Sequence, residues 1–180
     1  MKTTLIRIAT LATLLILVSS FALAQDKERD KIKLSVSFVN SEFDINPAAA
    51  VQNLQGISVD ADARIFSKPI SSHVTARLGG VFNYQRNGIS QSTPLDTYMA
   101  GAQFSLRVGP VEPFVGALFG VNTTYNSDNV FARKYRVGVD VPFHKESNFF
   151  VRPFFIEWER TEGFLSPATR KYGAGAGFRF

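Results

Sequence analysis

The stretch Tyr98-Met-Ala-Gly-Ala-Gln-Phe-Ser-Leu-Arg-Val108 decides the fold, because its side chains alternate along its whole length. Even-numbered positions carry apolar side chains, whereas the odd-numbered positions 101 to 107 are glycine or polar. Successive side chains of a β-strand point to opposite faces, while a helix would repeat its apolar residues at a spacing of about 3.6. The stretch is therefore predicted to be a strand with one apolar face.

The same alternation recurs along the rest of the chain. It covers residues 32–38, 57–65, 74–84, 135–141 and 172–180. Two further segments, 111–121 and 149–160, are predicted strands with a less regular pattern. In the second, Val151, Pro153 and Phe155 share a face with Glu157 and Glu159, so we expect either a β-bulge near Pro153 or a strand that leaves the membrane before Glu157. The total of eight strands predicts an all-β, antiparallel up-and-down barrel.

The first 24 residues have the pattern of a secretory signal peptide. Lys2 and Arg7 precede an apolar run, and the segment closes on Ala22-Leu-Ala24. A membrane-anchoring helix is the alternative, but the uninterrupted apolar run is short for a bilayer. We therefore predict a signal peptide over 1–24, a charged periplasmic tail over 25–31 and the barrel over 32–180.

Composition excludes several classes of function. The 180 residues include no cysteine and two histidines, which removes disulfides and thiolate metal sites, and we expect no cofactor. The net charge is +5, and removal of Lys2 and Arg7 lowers it to +3. No dense basic run interleaved with aromatic residues is present, so we expect no nucleic-acid partner.

Energetics decide which face of the strands meets lipid. An arginine at the bilayer midplane costs about 2–4 kcal/mol, so a polar face turned outward would cost more than a typical domain's stability. The apolar face must therefore look outward. The polar face is then predicted to form a charge network inside the barrel, made of Asp60, Asp62, Arg64, Arg77, Arg107, Glu112, Arg136, Asp140 and Arg179.

Glycines and phenylalanines are abundant, with 13 and 17 copies, and we expect them on opposite faces. Inward glycines would leave room for arginine, and phenylalanine would face acyl chains. Met99, Phe114 and Leu118 are expected to add apolar bulk inside, in a lumen that side chains fill in a barrel of this size. Connections are predicted to be short at 67–72, 109–112 and 142–148, and longer at the other end of the barrel.

The ending Tyr172-Gly-Ala-Gly-Ala-Gly-Phe-Arg-Phe180 resembles that of small eight-stranded outer-membrane barrels, similar to the OmpX/Ail group and the OmpA transmembrane domain. The resemblance implies that Tyr172, Phe178 and Phe180 form the C-terminal signal read by the barrel-insertion machinery. It also implies a monomer in the outer membrane of a Gram-negative bacterium, in contact with outer-membrane lipids and lipopolysaccharide.

Three functions remain open from the sequence. The favoured one is a structural or surface-binding, adhesin-like role carried by the extracellular loops, without catalysis. The second is a narrow passive channel. The third is a lipid A-modifying enzyme, suggested by His144, Glu146 and Ser147, but these residues fall in a predicted periplasmic turn where a solvated role is favoured. We therefore expect no catalytic residue and no metal site.

Deletion of Phe180 should impair insertion more than final stability, because the terminal aromatic residue belongs to the expected assembly signal. The deletion variant should refold in detergent, yet accumulate unfolded in the periplasm. Fractionation of cell envelopes, compared with refolding yield in vitro, measures both effects. Wild-type amounts of the variant in the outer membrane would contradict the expectation.

Overall fold

The computed structural model describes residues 31–43, 52–89, 94–124, 129–143, 147–162 and 169–180. Within these ranges each strand pairs antiparallel with the next, and the last returns to the first to close a barrel. The strands are β1 (Ile32–Phe43), β2 (Gln52–Ser71), β3 (Val74–Asn87), β4 (Leu95–Val108), β5 (Glu112–Thr124), β6 (Val130–Pro142), β7 (Phe149–Thr161) and β8 (Thr169–Arg179). The predicted eight-stranded antiparallel barrel is confirmed.

The expected signal peptide and all of the tail except Lys31 lie outside the described residues. No helix in the described ranges is both long enough and apolar enough to cross a bilayer.

The two ends of the barrel differ. At one end, β2 and β3 meet at residues 72–73, and Gly109, with φ of +59°, turns the chain between β4 and β5. The seam between β1 and β8 closes at this same end, where the amide of Lys31 donates to the carbonyl of Phe180 at 2.8 Å. We call this the tight-turn end and the opposite one the loop end.

The outer surface of the barrel is apolar. Phe38 is 66% exposed, Val115 52% and Phe178 53%, and similar side chains point outward from every strand. Contiguous exposed apolar surface of this extent is rare in soluble monomers, whereas hydrocarbon accommodates it at no cost. The predicted orientation, with apolar side chains outward and charges inward, is thus the one that the fold adopts.

Strand β7 contains the β-bulge that the sequence offered as one of two alternatives. Its pairing with β8 shifts between Arg152 and Phe155, and both intervening residues, Pro153 and Phe154, point outward. Before the bulge Arg152 faces inward, and after it Phe155 faces inward. Proline suits this position because it has no amide hydrogen to donate to a ladder.

Strand β2 is longer than expected. The residues 67–72 were predicted to be a short connection, but the strand continues to Ser71, because Ser67 to Ser71 pair with the start of β3 as far as Val74. Pairing with β1 ends at Ala63, opposite Ile32. Bulges after Arg64 and Pro69 accommodate the proline in this extension, which pairs on only one side among the described residues.

The expected division between inward glycine and outward phenylalanine is partly wrong. Phe150 and Phe155 are buried inside the barrel, in addition to Phe114, which was expected there. A Cβ added to Gly138, Gly173 or Gly177 would lie within 2.6 Å of one of these rings. Of the glycines expected to make room for arginine, only Gly116 has a guanidinium side chain, that of Arg136, as its nearest neighbour. The bulge in β7 turns Phe155 inward, and Gly173 leaves the space for its ring.

Replacement of Gly120 by alanine should destabilise the barrel by about 1–3 kcal/mol, the usual range for forced overpacking. Its Cβ would lie 1.9 Å from the carbonyl oxygen of Tyr98, which is fixed in the β4–β5 ladder. Gly80 is the matched control, because a Cβ there meets only the side chain of Ile65, at 3.5 Å. Urea unfolding in detergent should separate the two variants, and equal stability would contradict the packing argument.

Candidate functional site

Charged side chains fill the half of the lumen nearest the tight-turn end. This tight-turn cluster contains five cations and three acids, each with less than a tenth of its surface exposed: Lys33, Arg77, Arg136, Arg152, Arg179, Asp60, Glu112 and Asp140. Alternation places them inward from seven strands, all except β4, so that they meet across the lumen. Because cations outnumber acids, each carboxylate must serve more than one cation.

Glu112 gathers the residues closest to the turns. Its carboxylate lies 2.5 Å from Nζ of Lys33, 3.1 Å from Nη1 of Arg77 and 3.4 Å from Nη2 of Arg179. The hydroxyl of Ser105 donates a further hydrogen bond at 2.8 Å. Five strands, β1, β3, β4, β5 and β8, are thereby joined through one carboxylate.

Asp60 is the second centre of the tight-turn cluster. It accepts hydrogen bonds from Nη1 of Arg136 at 2.8 Å, from Nη1 of Arg152 at 2.7 Å and from the amide of Asn83 at 2.7 Å. Arg152 also donates from Nε to Asp140 at 2.8 Å. Arg152 therefore bridges the two aspartates across the lumen, from strand β7 to strands β2 and β6.

A separate loop-side cluster lies nearer the other end. Its charged members are Lys134, Glu157, Glu159 and Lys171, all almost fully buried. Nζ of Lys171 lies 2.6 Å from Glu159, and Nζ of Lys134 lies 3.0 Å from Glu157. Lys134 also donates to the amide oxygens of Asn83 and Gln85. Two cations and two acids balance here, in contrast to the tight-turn cluster.

Phenylalanine rings accommodate the excess of cations in the tight-turn cluster. The guanidinium of Arg152 lies 4.6 Å from the ring centroid of Phe114, and that of Arg179 lies 5.2 Å from Phe150. The face of an aromatic ring attracts a cation, by about 2 kcal/mol or more when water is excluded. The inward phenylalanines thus supply part of the stabilisation that missing acids would otherwise give.

The lumen is closed by apolar groups as well as by charges. Met99 and Leu118, together with Val81 and Ala132, form one buried cluster; Phe114 and Phe155 form another with Val39. The predicted inward bulk of Met99, Phe114 and Leu118 is thus present. The cavity at the tight-turn end, lined by Lys33, Asp62 and Gln103 among others, has a volume of about 10 Å³, which is the space for one water.

The structure places the predicted network residues as follows. Asp60, Arg77, Glu112, Arg136, Asp140 and Arg179 meet in the tight-turn cluster. Asp62, Arg64 and Arg107 are half-buried, and Asp62 accepts a hydrogen bond from Gln103 at 3.0 Å. The sequence analysis did not assign six charges that are buried in the lumen: Lys33, Lys134, Arg152, Glu157, Glu159 and Lys171. Three lie on faces already predicted to be inward, and the change of parity in β7 was the signal for the others.

The remaining candidate residues lie on the outside or beyond the described ranges. Tyr172, Phe178 and Phe180 point outward. His144 and Glu146 lie outside the described residues, as do several longer connections. Ser72 and His73 form a hydrogen bond of 2.8 Å in the exposed β2–β3 turn, and no carboxylate bonds to this histidine within the described part of the chain. This pair lacks the acid that would orient a catalytic histidine.

Comparison with known proteins shows the fold. No family model matches the chain. No curated protein sequence matches it either. Among solved structures, Ail, the attachment invasion locus protein of Yersinia pestis, has 15% identity and a TM-score of 0.55, covering 85% of this chain and 100% of Ail. Neisserial surface protein A has 14% identity, a TM-score of 0.51, and coverage of 85% and 98%.

An enzyme shares the fold as well. The outer membrane enzyme PagL has 11% identity and a TM-score of 0.52, covering 80% of this chain and 98% of PagL. The resemblance to small eight-stranded outer-membrane barrels is therefore confirmed at the level of the fold, which hosts binding proteins and enzymes alike.

Replacement of Asp60 by asparagine should destabilise the barrel by about 3–5 kcal/mol, because it leaves the charges of Arg136 and Arg152 without this buried acid. Asp62→Asn is the matched control two residues away on the same strand. Its carboxylate is half-buried and has one hydrogen bond to Gln103. We therefore expect a loss of about 1 kcal/mol, the contribution of an ordinary hydrogen bond. Urea unfolding in detergent measures both, and equal losses would show that Asp60 has no special role.

Proposed function

We propose that the chain is an outer-membrane protein of a Gram-negative bacterium whose extracellular loops carry a surface-binding role, and that the barrel itself is a non-catalytic scaffold. The single observation that carries this proposal is the filled lumen beneath an apolar outer wall. A partner from outside can then reach only the loops and the rim of the barrel.

The alternative of a passive channel conflicts with the contents of the lumen. Solute would have to pass the ion pairs of Asp60 and Glu112 and the apolar clusters around Leu118 and Phe155. Each buried pair is bonded across the lumen, so opening a path would expose several charges at once. We therefore favour a closed barrel over a porin-like one.

An enzymatic role has less support. The likeness to the enzyme PagL extends to the fold alone, and Ser72-His73 at the tight-turn end has no acid partner among the described residues. In the proposed orientation this end faces the periplasm, and so do Phe143 and Ser147, which lie between β6 and β7. A lipid A-modifying reaction at the outer leaflet would need its catalytic group at the loop end.

The proposal includes the expected partners. The apolar wall would contact outer-membrane lipids and lipopolysaccharide, and the outward Tyr172, Phe178 and Phe180 would engage the insertion machinery during biogenesis. Every described strand presents apolar side chains outward, so no strand has a polar outer face that a second copy would have to cover. This favours a monomer.

Shortening the connections at 88–94 and 125–129 to tight turns should leave the barrel folded and abolish surface binding. The lumen holds the fold together, so heat-modifiable migration on a gel should be retained. Adhesion of cells that produce the wild-type or shortened chain, to surfaces coated with serum proteins or with heparin, measures the loss.

The matched control shortens nothing at the loop end but replaces the exposed turn residues Ser72 and His73 by Asn-Gly. This variant should adhere like the wild type. Equal adhesion of the loop-shortened cells, or stable open levels in a planar bilayer with the purified wild-type barrel, would contradict the proposal, and the second result would favour a channel.

A further inference from the structure

Three arginines lie side by side on the outer wall near the loop end. Arg133 of β6, Arg160 of β7 and Arg170 of β8 occupy outward positions, because their neighbours Lys134, Glu159 and Lys171 are buried inside. The three strands are consecutive in the barrel, Arg133 lies opposite Arg160, and Arg170 lies one step from Arg160 in the next ladder, so the three positions adjoin. We call these three residues the arginine patch.

The arginine patch contains a like-charge pair. Arg133 and Arg160 are direct partners in the β6–β7 ladder and project from the same face. Side chains in such a position have Cβ atoms about 4.5–5.5 Å apart, and like charges directly opposite each other are destabilising. An anion bound between the two guanidinium groups would remove this repulsion.

No acid of the described chain pairs with the arginine patch. Glu42 lies opposite Arg170 on β1, and Glu162 follows Arg160 by two positions, yet neither forms an ion pair with these arginines among the described residues. The patch therefore presents positive charge outward at the edge of the apolar wall.

A fourth outward arginine, Arg86, has an acid beside it that neutralises its charge. Arg86 on β3 lies opposite Asp96 on β4, and its Nε is 3.9 Å from that carboxylate. The hydroxyl of Tyr84 also donates to Asp96, at 3.0 Å. Within the described residues, Arg86 thus has an ion-paired acid, whereas the acids near the arginine patch are not ion-paired with it.

Aromatic side chains define the height of the patch. Tyr135 and Trp158 are partners in the β6–β7 ladder, one step below Arg133 and Arg160, and Tyr172 lies one step below Arg170. Tyrosine and tryptophan favour the level of lipid headgroups. Arg170 is level with Trp158, and Arg133 and Arg160 lie one step nearer the loop end, so the arginine patch lies at the level of the headgroups.

An apolar hollow adjoins the patch on the same wall. It measures about 380 Å³ and is lined by Phe38, Asn40, Gln55, Tyr172 and Ala174 together with backbone of β1 and β8. Tyr172 lines the hollow and adjoins the arginine patch, because Arg170 is two residues away on the same face. The hollow is suited to an acyl chain, and the patch above it is suited to an anion.

We propose that the arginine patch and this hollow form a binding site for a phosphorylated, acylated lipid of the leaflet at the loop end, with phosphate on Arg133, Arg160 and Arg170 and an acyl chain beside Tyr172. Guanidinium binds phosphate through charge-assisted, bidentate hydrogen bonds, and one phosphate between Arg133 and Arg160 removes their repulsion. The inference rests on the proposed membrane location and adds a specific lipid site to it.

Trp158 provides a direct probe of this site. It is the only tryptophan of the chain, and it is the ladder partner of Arg170. The purified barrel, refolded in phosphate-free maltoside micelles, would be titrated with diphosphorylated lipid A carrying brominated acyl chains. Quenching of the fluorescence should occur with at least about tenfold higher affinity than for the dephosphorylated lipid, since each tenfold step corresponds to about 1.4 kcal/mol.

Matched variants assign the effect to the patch. Arg160→Gln should weaken binding of the phosphorylated lipid about tenfold, whereas Arg86→Gln, at a neutralised position, should bind like the wild type. Arg133→Gln should bind weakly and yet be at least as stable as the wild type in the phosphate-free micelle, because it removes the repulsion. If the arginine had only a structural role, its replacement would lower the stability of the barrel both in the phosphate-free micelle and in micelles that contain the phosphorylated lipid.

Several outcomes would overturn the inference. One is equal affinity for the dephosphorylated lipid. Another is equal weakening of lipid binding by Arg86→Gln. A third is an effect of inorganic phosphate alone, at the same concentration, equal to that of the phosphorylated lipid. Failure of the proposed function is a different result, in which the chain does not fractionate with the outer membrane or loop shortening leaves adhesion unchanged. Each can therefore fail while the other stands.

Discussion

Each strand of this barrel must suit two environments at once, and the two-residue period of an extended chain is what allows it. Outward positions meet hydrocarbon, in which an unpaired charge or backbone group has no partner. Inward positions meet only one another, because eight strands leave space for side chains and little else. The closed ladder, the charge clusters and the inward aromatic rings all follow from that division.

The two charge clusters inside the barrel are neutralised in different ways. The loop-side cluster balances Lys134 and Lys171 against Glu157 and Glu159, so acids alone neutralise it. The tight-turn cluster has fewer acids than cations, and rings such as Phe114 stabilise part of the positive charge through cation–π contacts. The outer surface has a similar imbalance at the arginine patch, which in a membrane can be neutralised from the lipid side.

Most of the fold could be predicted from the sequence, because alternation is a local signal that each strand carries by itself. The membership of the clusters was harder to predict. Arg152, Glu157 and Glu159 belong to a strand whose parity changes at Pro153 and Phe154, and only pairing with β6 and β8 fixes the place of the bulge. The end of β2 was missed for a related reason, since Pro69 indicates a turn unless its partners on β3 are known.

The glycines at 173, 175 and 177 have a consequence for the seam where the two ends of the chain meet. They make β8 thin on its inner side, where added side chains would collide with Phe155, Ser37 and Phe150 of the neighbouring strands. Because β8 has no side chain at these positions, β1 and β7 can keep those three side chains turned into the lumen beside it. The inner side of the seam is therefore bare backbone on β8, covered by the side chains of its two neighbours.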